Sequence, residues 1–118
     1  MNNRGEAVAA ILAEWEGIQK QLAPLFRARD SKNTKKWMER GINLYLQFLY
    51  LTNHETYPPI NRKRYDQFLF KPVNLEERIE FIKSRPEFYP SYRQLTELMN
   101  EQEKQFAKSN IKKKSSRQ

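Results

Sequence analysis

At 118 residues, with 38% hydrophobic and 31% charged side chains and no cysteine, the chain has the make-up of one globular domain and excludes disulfides and thiolate metal sites. Only three glycines argue against a turn-rich β architecture, and a formal net charge of +8 raises the expectation of an anionic partner. The longest apolar run, 42–51, contains Asn43 and Gln47 and is far shorter than the ~20 residues that span a bilayer, and Glu14 and Glu16 break the apolar N-terminus where a signal peptide would need continuity, so the chain reads as cytoplasmic with no membrane partner.

Val8, Ile11, Leu12, Trp15, Ile18 and Leu22 recur at spacings of three and four, which predicts a first helix from about Gly5 to Leu22. Pro24 is expected to end or kink it, with Leu25 and Phe26 in a further turn. The polar stretch Asp30–Thr34 reads as a loop with several candidate caps, and a second helix is expected to begin after Asn33 or Thr34. Trp37, Met38, Ile42, Tyr45, Phe48 and Leu49 mark its main face; Leu44, Leu46, Tyr50 and Leu51 fill the others. A helix apolar nearly all round is covered on several sides, so about 35–51 is expected at the centre of the fold.

A double-proline loop, 52–61, follows, then a short helix over 62–70 stopped by Lys71-Pro72. Asn74 with Glu77 resembles a capping box opening a helix whose stripe is Leu75, Ile79 and Ile82, and Arg85-Pro86 stops it. Ser91 with Gln94 repeats the capping pattern before a last helix marked by Leu95, Leu98, Met99, Gln102 and Phe106. The fold expected is all-α: a compact bundle of about five helices in one domain over 1–108, with a short, basic, flexible tail over 109–118.

The residues that carry most chemistry are scarce. His54 is the only histidine and lies in a proline-flanked loop, so neither a zinc site nor a Ser-His-Asp arrangement is expected. No glycine-rich phosphate loop is present. Glu76, Glu77 and Glu80 would be the carboxylates of an enzyme reading, but acidic side chains in a first turn are explained by the helix dipole. The expectation is therefore no catalytic residue, no cofactor and no metal.

Charge is concentrated in three clusters: Arg27, Arg29, Lys32, Lys35, Lys36 and Arg40; Arg62, Lys63 and Arg64; and Lys108, Lys112, Lys113, Lys114 and Arg117. Such cations can neutralise phosphates with counterion release, and Phe26, Trp37, Tyr65 and Phe68 stand beside the first two clusters. The competing reading places those aromatics in the core and the tail lysines at a helix C-terminus, where the dipole favours them. Arg78 and Arg29 are also candidates for bidentate bonds that lock two elements, though a surface position is the simpler assignment.

Lys71-Pro72-Val73-Asn74, Glu77-Arg78-Ile79, Phe81-Ile82, Arg85-Pro86 and Tyr89, followed by Gln94-Leu95, Glu97-Leu98, Glu101 and Lys104, resemble the YpoC-like family of small bacterial proteins from Firmicutes. The resemblance covers about 25–108, and His54 stands where family members often have glycine. It implies an all-helical bacterial cytoplasmic protein encoded near genes of DNA replication, repair and the cell wall; it implies no catalytic residue, cofactor or named partner. Lys71, Pro72, Asn74, Glu77, Arg78, Arg85 and Pro86 are expected to be structural. The leading expectation is a non-catalytic accessory module with a protein partner; the alternative is a nucleic-acid-binding protein that uses the basic clusters.

Overall fold

A computed structural model describes residues 3–61 and 64–116, with side chains as far as Ile111 in the last helix. Among the described residues there are four α-helices and no strand: α1 (Asn3–Ala28), α2 (Ser31–Thr52), α3 (Leu75–Ser84) and α4 (Tyr89–Ser116). Where a fifth helix was expected over 62–70 there is only a single 3-10 turn, Tyr65–Gln67.

Pro24 does not end α1, which continues to Ala28. A proline in a helix interior costs ~3 kcal/mol, chiefly through the lost amide and the crowded carbonyl four residues earlier. Here Pro24 lies on an exposed face with Lys20, where water can reach the freed carbonyl, while Leu22 and Phe26 hold the flanking turns against the core. Packing outweighs propensity.

The connection from α1 to α2 is much tighter than the expected five-residue loop. Asp30 N–H donates to Leu25 O at 3.0 Å and Arg29 N–H to Phe26 O at 3.2 Å, the paired bonds of a Schellman ending. Arg29 takes the left-handed position (φ 55) that glycine usually fills. Asp30 then caps α2 directly: its Oδ1 accepts from Asn33 N–H at 3.2 Å and its Oδ2 from Asn33 Nδ2 at 2.8 Å. The helix therefore begins at Ser31, before Asn33 and Thr34.

The expected capping boxes do not form. Asn74 is left-handed (φ 56), which turns its side chain away from the amides of the first turn, and it makes no side-chain cap. Ser91 lies inside α4, is buried, and donates from Oγ to Arg85 O at 2.7 Å, tying the start of α4 to the end of α3. The stop at Arg85-Pro86 is observed, since α3 ends at Ser84. At the other end, α4 continues to Ser116, so helical backbone extends into the segment expected to be a flexible tail.

Helix α2 packs against both α1 and α4, and α3 packs against α4. Core side chains come from all four helices, with Leu22, Tyr45, Phe48, Ile82, Leu95 and Leu98 among the most enclosed. The core is thus shared between layers rather than wrapped round one helix. Gly41 marks where the layers come closest: a Cβ there would lie 2.9 Å from the Trp15 ring and 3.1 Å from Leu95. Tyr45 bonds to Gln102 and the Phe48 ring lies 6.3 Å from Phe106, so α2 and α4 run in the same direction. Phe26, near the end of α1, meets Tyr89, the first residue of α4, at 5.3 Å, so α1 runs opposite to α4. One end of the molecule therefore gathers the end of α1, the start of α2, the end of α3 and the start of α4.

Candidate functional site

Two regions concentrate polar side chains, and they differ in whether those side chains have partners. The first is a tie across the middle of the bundle. Arg78 on α3 sends Nη1 and Nη2 to the two carboxylate oxygens of Glu101 on α4, at 3.0 and 2.6 Å. Its Nε donates to Gln94 Oε1 at 2.6 Å and Nη1 also reaches Val73 O at 3.0 Å. The Arg78 side chain is 17% exposed and that of Glu101 37%. The bidentate bond holds the guanidinium further into its charged form and holds the Glu101 carboxyl below the ordinary carboxylate range. The bidentate option weighed for Arg78 is the one observed.

Below this tie, buried Gln102 accepts from the Tyr45 hydroxyl at 2.9 Å and donates to Phe70 O at 3.1 Å. Burial pushes the Tyr45 phenol well above its usual range, so it remains a neutral donor. Asn53 pairs with both backbone groups of Phe70, accepting from N–H at 2.8 Å and donating to C=O at 2.9 Å. These bonds pin the long connection between α2 and α3. Lys71 belongs to the same device, donating to Phe68 O at 2.6 Å, and Pro72 is buried beside it. Every polar group here serves packing.

The second region is the end where four helix termini meet. Arg27, Arg29, Lys32, Lys35, Lys36 and Arg40 are all exposed there. Arg40 lies over the Trp37 ring at 4.7 Å; no ion pair engages the other five among the described residues. The corner between α3 and α4 adds cations that sequence reasoning did not connect to them. Arg85 sits 4.6 Å over the Phe88 ring, and Arg93 is exposed one turn beyond Tyr89. Tyr89, Phe26 and Tyr92 form an aromatic seam joining this corner to α1, with ring centroids 5.3 to 5.8 Å apart. Phe88 remains 41% exposed and Tyr89 52%. Residues 27–40 carry six basic and two acidic side chains, and 85–93 two basic and one acidic, so the end is net positive. One of those acids, Asp30, is engaged in capping, and its bonds from Asn33 lower its pKa.

The described members of the other basic clusters, Arg64 and Lys108, are not at this end. Arg64 belongs to the connection that follows α2, where Phe68 packs on Tyr50, and it pairs with Asp66 at 3.1 Å. Lys108 is exposed beyond Phe106, where Arg4 lies 5.1 Å over the Phe106 ring and donates to Leu51 O and Thr52 O at the end of α2. At 1.5 Å per residue, α2 separates the two ends by about 33 Å. Arg62 and Lys63, with the side chains of Lys112, Lys113 and Lys114, lie outside the described residues. Of the aromatics set beside the basic clusters, Phe68 is buried, and Phe26, Trp37 and Tyr65 are half-buried against the core. The exposed rings are others, Phe81, Phe88 and Tyr89.

Glu76, Glu77 and Glu80 are exposed on the outer side of α3. Among the described residues no three His, Asp or Glu side chains gather as a metal-binding group, and no helix is long and apolar enough to cross a membrane. A groove of about 510 Å³ lined by Glu39, Ile42, Asn43, Leu46, Tyr57, Lys83 and Pro86 is open to solvent, and Asn43 already accepts from the Tyr57 hydroxyl at 2.6 Å. His54, exposed after α2, takes the left-handed conformation (φ 60) that glycine would.

A family model described as YpoC-like protein matches residues 5–114, which brings α1 into the match as well. Among curated proteins, the uncharacterised protein YpoC of Bacillus subtilis (strain 168) is 33% identical over 106 residues, 88% of this chain and 65% of the relative. The chain thus spans just under two thirds of that protein's length. No solved structure matches. With the family model running from the first turns of α1 to nearly the end of α4, the chain belongs to the YpoC-like family.

Proposed function

We propose that the chain is a non-catalytic accessory module of the bacterial cytoplasm that binds another macromolecule at its cationic end. One observation carries this reading: helix termini from all four helices bring unpaired cations and two exposed aromatic rings to the same place. Elsewhere the charged groups with structural roles are engaged, as with Arg78, Arg64 and Arg4.

Site-specific photo-crosslinking tests this. A photoreactive residue at position 36 or 88 is expected to give discrete macromolecular adducts in a bacterial extract, and one at position 104, on the middle of α4, is expected to give none. Equal labelling at all three positions, or none at any, contradicts the reading.

A further inference from the structure

We infer that the macromolecule bound at this end is single-stranded nucleic acid, with phosphates on Lys32, Lys35, Lys36 and Arg93 and an unpaired base stacked at Phe88. The inference rests on the interaction-module reading and gives it a partner class.

Charge alone would suit any polyanion. The aromatic component discriminates. Phe88 is an apolar ring left 41% exposed at a surface corner, where burial against the neighbouring Tyr89–Phe26 seam would be the ordinary outcome. Arg85 lies over one face of it at 4.6 Å, so a stacked base would take the opposite face. Nucleobases stack on such rings regardless of their identity, whereas a run of carboxylates gains nothing from an exposed phenyl face. A duplex satisfies the phosphate sites but keeps its base faces stacked internally, so the ring selects the single strand.

The cations occupy two different elements. Lys32, Lys35 and Lys36 lie on the first two turns of α2, and Arg93 lies on α4 one turn past Tyr89. The Tyr89–Phe26 contact joins the corner carrying Phe88 to the α1 terminus from which α2 departs. The α2 lysines, the α4 arginine and the exposed ring therefore lie at the same end of the molecule.

The test is fluorescence anisotropy with a labelled oligothymidylate, a single-stranded RNA and a duplex of equal length, with full-length protein at ~50 mM salt, where phosphate contacts are strong. Both single strands are expected to bind more tightly than the duplex. Phe88→Ala is expected to weaken single-strand binding by about five- to a hundredfold, the range of one lost base stack. Phe88→Trp is expected to restore it. Combining Lys32→Gln, Lys35→Gln and Lys36→Gln should reduce the slope of log affinity against log salt by about 2, from ~0.7 per phosphate contact. Lys104→Gln should change neither quantity. No binding at ~50 mM salt, an unchanged affinity in Phe88→Ala, or displacement of the oligonucleotide by polyglutamate of matched length at equal concentration would each overturn the inference. If the crosslinked adducts at positions 36 and 88 are removed by protease and resist nuclease, the nucleic-acid assignment falls while the interaction module stands.

Discussion

Arg78 and Arg85 are seven residues apart and lead opposite lives. Arg78 points into the bundle and spends four of its five N–H donors on Glu101, Gln94 and Val73. Arg85, just past the end of α3, lies over an exposed ring and has no carboxylate partner among the described residues. The same residue type is a rivet in the middle of the molecule and an available charge at its end. A bare count of basic residues in this chain therefore says little, because the partner of each cation decides its role.

The largest expected effect separates these roles at the rivet. Arg78→Ala should destabilise the fold by about 2 kcal/mol, between the ~1 kcal/mol of an exposed ion pair and the larger cost of breaking a buried one. Urea unfolding followed by circular dichroism measures it, and a change below ~0.5 kcal/mol would mean that Arg78 is no rivet. Next in size is a change of opposite sign. Arg29→Gly should stabilise by about 1 kcal/mol, because glycine enters the left-handed region without a Cβ clash, while weakening ligand binding. Loss of stability in the same unfolding assay would show that the Arg29 side chain is structural after all.

Acid titration sharpens the contrast further. The folded-state pKa of Glu101 is depressed by Arg78, so its contribution is complete above the ordinary carboxylate range and lost as pH falls through the depressed value. Arg78 is shifted upward and stays charged throughout that range, so it adds no acid dependence of its own. Glu101→Gln should flatten the acid limb of stability against pH. An acid limb identical to the parent's would place the linkage elsewhere, with the depressed Asp30 as the next group to change. The smallest expected effect belongs to the cationic end. Lys32→Gln, Lys35→Gln and Lys36→Gln together should change stability by no more than ~0.5 kcal/mol, as for surface positions without partners.

Much of the fold was legible because periodicity is a local property. The stripes Val8–Leu22, Met38–Leu49 and Leu75–Ile82 are the buried faces of α1, α2 and α3. What failed were local rules overridden by distant contacts. Pro24 is tolerated because Phe26 packs on Tyr89 and Tyr92, sixty residues or more away, and Ser91 serves Arg85 rather than its own helix start. Asn74 had the right composition for a cap and the wrong backbone, which no single sequence displays. For the site, the cluster 27–40 stood out as a run of charge. Arg85, Phe88 and Arg93 did not, because their neighbours there come from another part of the chain. Tyr89 gave the only hint, an aromatic one turn before Arg93 at the start of a helix.

The central claim is that binding belongs to the end where the helices meet and folding to the tie across the middle. Backbone amide chemical shifts of the isotopically labelled full chain, followed as a single-stranded oligothymidylate is added at ~50 mM salt, test it most directly. The account predicts concentration-dependent shifts confined to residues 27–40 and 85–93, with 70–78 and 94–104 unmoved. Shifts centred on Arg78 and Glu101, or on Arg64 and Lys108 at the opposite end, would contradict it.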